Sequence, residues 1–431
     1  MSREENRKNF SKYVSQNILG MIGFSCYVLA DSYFISIAKG ADGLTALNLV
    51  MPLYSIIFSI GEMIGVGSAI RYAIGKIKKD ADADDYFWNA IIWCILSSIL
   101  FVFAGIFFSA DIMRVLGADE HIVAVGNNYT KIFMCFAPMF MCNYVTNAFV
   151  RNDGAPGIAM SATLFSSLFN IVFDYILMFP MKLGMEGAAL ATALSPIIGM
   201  GICSIHFFSK KSSVRLVVCK PSVRKLVAGS QLGVSAFVGE MSSAVITLAF
   251  NFVILKLAGN VGVAAYGVVA NIAIVTTAVF NGVAQGSQPL ISSCFGRGDK
   301  DGCTQLKRMG YTTAFVLAAV MYSILFIFAG QFVAVFNSEG SEMLRIYATE
   351  GVKLYFIGIF FAGINIVGGG AFSATENAFK AAVVSVARGF VLILGAVFVM
   401  SALFGMTGVW LAYAVAEGIT TFIMLVMALR V

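Results

Sequence analysis

The sequence predicts an all-α membrane protein, with twelve transmembrane helices in two six-helix lobes related by a pseudo-two-fold axis along the membrane normal. Three observations carry this expectation. Of 431 residues, 59% are hydrophobic and only 12% are charged, against about 25% charged in soluble domains. The mean hydropathy of +0.86 leaves too little polar surface to face water, so lipid must be the solvent for most of the chain. Small and polar residues also recur in the same order in both halves of the chain.

About 20 apolar residues cross the hydrocarbon, and polar breaks divide the chain into about twelve such runs. The first, 13–38, follows the polar, basic stretch from Met1 to Lys12 and continues past Asp31. It has no small-residue cleavage site, so it reads as a spanning helix and not as a signal peptide. The runs 44–75, 86–109, 121–149, 156–180 and 187–208 complete the first six. Ser209 to Lys225 is the longest basic connection and divides the chain almost in half. The second six are 226–257, 262–296, 304–333, 341–372, 378–404 and 407–430. Residues 1–208 and 226–431 are thus the expected lobes, and 209–225 the linker. Several runs exceed 25 residues and should tilt, bend or extend beyond the bilayer. Pro52, Pro138, Pro196 and Pro289 fall inside spans and are candidate kinks.

The formal net charge is +6, but the basic residues are scattered over short loops. They do not line one face as a nucleic-acid site would. Alternate connections differ sharply: about 22 Lys and Arg fall on the side of the termini and about seven on the other. The rich side includes Arg71, Arg151, Arg215, Arg388 and Arg430; the poor side includes Lys39, Arg114 and Lys353. The positive-inside rule then places both termini in the cytoplasm of a multi-pass cell-membrane protein. The eight cysteines lie mostly in apolar runs, form no CxxC pair, and have only His121 and His206 for company. They read as small buried residues, with neither a zinc site nor a disulfide framework.

The repeat is explicit. Gly40, Gly43, Ala46, Gly67 and Ser68 match Gly259, Gly262, Ala265, Gly286 and Ser287. Ala148-Phe149 before Asp153 matches Ala371-Phe372 before Glu376, and Lys131 matches Lys353. Gly184, Met185, Gly187, Leu190 and Ala191 match Gly405, Met406, Gly408, Leu411 and Ala412. Six spans per half make the repeat parallel, and substrate sites in such architectures lie between the halves near mid-membrane.

A carboxylate at mid-bilayer costs about 2.5–3.5 kcal/mol on insertion scales, so it needs an internal partner or a watery cavity. The candidates are Asp31, Glu62, Asp174, Glu240 and Glu417. Thr163, Ser166, Ser167, Asn170 and Asp174 form one polar stripe at helical spacing, opposite Phe165, Leu168, Val172 and Tyr175. Thr192 follows Gly187-Ala-Ala-Leu-Ala, whose small side chains let helices approach closely. At the repeat offsets, Asp31, Asn170, Asp174 and Thr192 fall opposite Phe250, Val391, Gly395 and Tyr413. A polar set present in one half only points to a specialised task. Two carboxylates, an amide and a hydroxyl supply hard oxygen ligands for a cation such as Na+. Alternatively, a carboxylate pair in a poorly solvated site takes up and releases a proton. The bland reading is a hydrogen-bond network that only fixes packing. Glu62 and Glu240 are candidate cavity acids, and Glu417 is a weaker one. The 21 methionines and 38 phenylalanines suit an adaptable apolar cavity and suit plain packing as well.

Other motifs are weak. Gly65-Val-Gly67 and Gly368-Gly-Gly370 lie in apolar helices with no preceding strand, so they are not phosphate cradles. Asn128-Tyr-Thr130 fits a glycosylation sequon, a pattern common by chance.

Ala30-Asp-Ser-Tyr-Phe, Gly40-Ala-Asp-Gly-Leu-Thr-Ala-Leu, Gly65-Val-Gly-Ser, Asn170-Ile-Val-Phe-Asp174 and Gly187-Ala-Ala-Leu-Ala-Thr192 occur in that order. Together they resemble the multidrug and toxin extrusion (MATE) family over nearly the whole chain, closest to its prokaryotic DinF/MepA-like branch. The resemblance implies a V-shaped, twelve-helix fold. It implies efflux of amphipathic or cationic organic compounds, drugs among them, in exchange for H+ or Na+. It also implies a coupling site at Asp31, Asn170, Asp174 and Thr192. Another branch places acids on the seventh and tenth helices. Here Glu240 is displaced from the first position, and Leu354 to Gly370 holds no acid.

The expectation is therefore a non-enzymatic, monomeric secondary transporter in the lipid bilayer, without cofactor beyond the coupling ion and without nucleic acid. The alternative within the same superfamily is a lipid-linked oligosaccharide flippase, which commonly has extra helices and strongly basic cavities. A membrane enzyme would need a catalytic His, Cys or metal cluster. A structural or receptor protein would not need a one-sided acid cluster.

Overall fold

The computed structural model describes residues 3–215, 217–336 and 341–429, without the side chains of Ala41 and Leu429. Arg430, counted above with the basic side, and the end of the last expected span lie outside the described residues. Among the described residues all regular structure is helical.

The first six spans are α1 (Arg3–Gly40), α2 (Asp42–Lys78), α3 (Asp85–Val115), the bent α4 (Glu120–Cys135 with Ala137–Asn152), α5 (Pro156–Met178) and α6 (Met185–Phe207). Val223–Gly296 is 74 residues long, far more than one crossing needs at about 1.5 Å per residue. It folds back at Gly259 into α7 (223–258) and α8 (260–296). The rings of Phe250 and Tyr266 stack at 5.0 Å, where a straight helix would hold them about 24 Å apart. After α9 (Lys300–Ile327) and α10 (Glu342–Ala374), Ala378–Ala428 folds back at Gly405 into α11 (378–404) and α12 (406–428). Among the described residues, with the two long helices divided at Gly259 and Gly405, the apolar helices reach the expected twelve.

The reversals obey the repeat. Gly40 and Gly259 have φ of 59° and 61°, and Gly184 and Gly405 have φ of 54° and 57°. Such left-handed backbone costs a residue with a Cβ about 1–2 kcal/mol, which explains why glycine occupies all four positions. Some helix starts are capped: Asp119 accepts from the Ile122 N–H at 2.8 Å, and Asp299 from the Gly302 N–H at 2.8 Å. Of the four candidate prolines, only Pro138 adjoins a recorded break, a 46° bend at Phe136. Helical dihedrals continue through Pro52, Pro196 and Pro289. One irregularity had no sequence signal: a π-helical turn, Ala387–Val391, inside α11.

Two large hydrophobic cores form. One draws on residues between Ile35 and Leu232, the other on residues between Ala249 and Ala416 together with Phe10 and Val14 from α1. The first turns of α1 therefore pack with the second half of the chain. The halves meet most closely between α2 and α7: a Cβ on Gly233 would lie 1.9 Å from the Met63 carbonyl oxygen. Between helices in lipid, backbone approach of this kind replaces the missing hydrophobic drive. The other cross-half contacts lie toward the same end, where the chain termini are. Gln285 donates to Glu62, Arg71 pairs with Glu376, Lys78 lies 3.5 Å from Glu376, and Asn6 donates to Gln305.

Candidate functional site

The α5 stripe points inward. Asn170 and Asp174 are fully buried, while Phe165, Leu168 and Tyr175 on the opposite face are 58%, 55% and 54% exposed. Gly187 lets α6 approach α5 closely enough to bring Thr192 within 3.2 Å of Asn170. With the Asn170 amide oriented to satisfy its neighbours, Nδ2 donates to Asp174 Oδ2 at 3.0 Å and Oδ1 accepts from the Thr192 hydroxyl at 3.2 Å. Asp31, late in α1, is buried beside them, its carboxyl within hydrogen-bonding reach of Asp174. The structure thus gathers Asp31, Asn170, Asp174 and Thr192 from three helices. Oδ1 of Asp31 and Oδ1 of Asp174 are both buried without a hydrogen-bond partner. Buried carboxylate oxygens without donors are costly, and a shared proton or a small cation would satisfy them. The tyrosines Tyr54 and Tyr129 bond to each other within electrostatic reach of Asp31.

The equivalent region of the second half is aromatic. Phe250, opposite Asp31 in the repeat, stacks on Tyr266; Tyr413, opposite Thr192, stacks on Tyr355 at 4.4 Å. A filled aromatic core stands where the first half keeps its carboxylates.

Glu62 on α2 and Glu240 on α7 line a cavity of about 130 Å3 between the halves. Thr163, Ser166 and Ser167 extend the α5 stripe into its wall, while Asp174 lies about two helical turns further along α5 and Asp31 about one turn beyond Tyr27 on α1, both outside the lining. The cavity also holds Arg151, which the loop count placed among the solvated cations. That reading is corrected: Arg151 is 5% exposed at the end of α4, in the wall of the cavity and not in a loop. It donates to Gln285 Oε1 at 2.6 Å, and Gln285 in turn donates to Glu62 at 3.3 Å. Its Nε has no partner. The signal was available, since Arg151 directly follows an uninterrupted helical run, but its partner is far away in sequence.

Arg388 was also counted as a loop cation and is also corrected. It sits on the π-helical turn of α11 and pairs with Glu417 of α12, Nη2 to Oε1 at 2.7 Å. Asn365 on α10 donates to Glu417 Oε2 at 2.7 Å, and Thr421 donates to Asn365 Oδ1 at 3.1 Å. Glu417, one of the five candidate acids, is therefore matched by a cation and an amide. An arginine inside the apolar run 378–404 was the signal for it. In the sequon, Thr130 is fully buried within α4, while Asn128 is exposed and donates to Glu186 Oε1 at 2.6 Å.

Comparison with known proteins agrees with this architecture. The MatE family pattern matches residues 17–176 and 236–399. The stretches begin 219 residues apart and end 223 apart, the separations of the internal repeat. Relatives named multidrug export protein MepA occur in Staphylococcus saprophyticus, 26% identical over 410 residues, and in Staphylococcus aureus, 27% identical over 414 residues. Each comparison covers 93% of this chain and 89% of the relative. A solved outward-facing conformation of a multidrug resistance MATE family transporter of the MOP superfamily superposes with a TM-score of 0.92 at 20% identity. It covers 99% of this chain and 96% of its own. A MOP superfamily transporter from Pyrococcus furiosus gives 0.91 at 19% identity, covering 99% and 95%. The structural likeness speaks for the fold, and the family pattern spans both halves of the sequence: the chain belongs to the MatE family.

Proposed function

We propose that the protein is a secondary active multidrug exporter that exchanges amphipathic or cationic organic compounds for H+ or Na+. The observation that carries the reading is the pair of unpartnered oxygens on Asp31 and Asp174, buried in one half and absent from its repeat. Two carboxylates in such a pocket cannot both stay ionised without a counter-charge. Asn170 holds Asp174 in place and Thr192 holds Asn170. A proton, or a sodium ion taking oxygens from the same four side chains, is the coupling ion. Each unit charge moved through 100 mV supplies about 2.3 kcal/mol. Ion and drug compete by favouring different conformations, each through its differential affinity. Glu62 and Glu240 attract the cationic drug into the cavity between the halves, where Arg151, linked to Glu62 through Gln285, is the resident cation. The two halves act as lobes joined by residues 209–225. Both termini are cytoplasmic in the cell membrane, so the tightly packed terminal end is the closed one and the opposite mouth faces outward.

The test is reconstitution in vesicles with proton and sodium gradients imposed separately and efflux of a cationic dye followed. Asp31→Asn and Asp174→Asn are each expected to abolish most gradient-driven efflux, because intramembrane acids of this kind mark the path of the coupling ion. Efflux at the parent rate in both variants would refute the assignment.

A further inference from the structure

A second hollow lies away from both polar sites, at the seam between α1 and α9. It is a groove of about 760 Å3 whose wall includes Arg3, Arg7, Arg308, Val14, Ile18 and Leu317. Its chemistry changes along its length. Arg3 and Arg7 open α1, and Arg308 lies two turns into α9; all three are exposed, and none makes an ion pair with another described residue. Asp301 stands at the same end, so the mouth carries a net charge of +2 among its lining side chains. Beyond it the wall becomes apolar through Val14, Ile18 and Leu317. From Arg7 to Ile18 the α1 helix rises about 16 Å, a length that suits a headgroup and the upper part of one acyl chain. The apolar run of α1 begins near residue 13, which puts the arginines at headgroup depth. The floor is fixed by Asn6 donating to Gln305 at 3.2 Å and Gln305 donating to the Arg3 carbonyl at 3.0 Å.

We propose that this groove is a binding site for one anionic phospholipid from the leaflet on the side of the termini. Its phosphate sits among Arg3, Arg7 and Arg308, and one acyl chain lies along Val14, Ile18 and Leu317. Three guanidiniums without an ion-pair partner among the described residues, opening onto an apolar channel between helices, complement a negative headgroup carrying a hydrocarbon tail. A free anion would use the mouth and leave the channel unused. Because α1 and α9 come from different halves, the lipid spans the seam and holds their terminal ends together. The site is independent of the transport reading, since neither the acid cluster nor the cavity contributes to it.

The experiment is native mass spectrometry of the purified, detergent-solubilised protein titrated with phosphatidylglycerol or with phosphatidylcholine. The parent protein should retain one phosphatidylglycerol in preference to phosphatidylcholine. The triple variant R3Q/R7Q/R308Q should lose that preference, with retention weakened by about tenfold or more. Thr312→Trp keeps all three arginines and fills the groove from its exposed wall; it should also reduce retention. Millimolar inorganic phosphate should leave the bound lipid in place. Equal retention of the two lipids by the parent protein, or undiminished phosphatidylglycerol binding in the triple variant, overturns the proposal. Displacement of the lipid by inorganic phosphate does so too, by reducing the site to a simple anion pocket.

Discussion

Arg388 and Glu417 show what a charge needs in order to persist inside this bundle. Each is the other's counter-ion; Asn365 also donates to Glu417 Oε2, and Thr421 in turn donates to Asn365 Oδ1. Breaking such a pair leaves a bare buried charge, which costs about 3–5 kcal/mol. Arg388→Met should therefore lower the melting temperature of the purified protein markedly, and the double variant R388M/E417L should recover most of the loss. A double variant no more stable than the single one would contradict this account. The acid cluster of the first half is built the other way, with oxygens left open. Thr192→Val removes the donor that orients Asn170 and should weaken ion-driven efflux while leaving the melting temperature nearly unchanged. Sequence spacing revealed Asn170 and Asp174 because a stripe along one helix is local information. It misplaced Arg151 and Arg388 because burial of a cation depends on a partner in another helix: Gln285 is 134 residues from Arg151.

At the scale of helices, the reversals were legible and the irregularities were not. Gly40, Gly184, Gly259 and Gly405 recur at the repeat offsets, and each proves to be a left-handed turn. Gly259→Ala should cost about 1–2 kcal/mol through backbone strain alone. Gly267→Ala, in the helical arm of α8 with open space around it, should be neutral or slightly stabilising. Thermal unfolding of the two variants side by side measures the difference. Equal stabilities would mean that the turn at Gly259 relaxes at no cost. The π-helical turn at Ala387–Val391 and the continuity of helix through three prolines left no such trace. Both are decided by how neighbouring helices take up the displaced backbone groups. At the approach of α2 to α7 there is no slack: Gly233→Leu should force the halves apart at the terminal end, read as a longer distance between spin labels placed on each.

For the molecule as a whole, that end is fastened by charge as well as by contact. Arg71 and Lys78 close α2, and both reach Glu376, in the turn between α10 and α11 of the other half. Glu376 is held at a φ of 57°, uncommon for a residue with a side chain. Its counterpart in the repeat, Asp153, bonds within its own half, to Tyr72 at 2.8 Å and His206 at 2.8 Å. One acid of the duplicated pair thus binds across the seam and the other does not. Glu376→Gln should broaden the label distances at the terminal end, and raising the salt should do the same to the parent protein, because partly exposed ion pairs are screened. An unchanged distance distribution in both experiments would assign the closure to packing alone. The placement of Phe10 and Val14 in the core of the other half has a consequence for dissection of the chain. A cut in the connecting segment would yield two fragments that remain interlocked, since the first fragment carries a piece of the second one's interior. Co-expressed as 1–210 and 211–431 they should copurify, whereas a first fragment beginning at residue 20 should leave its mate with an unfilled hollow and a tendency to aggregate.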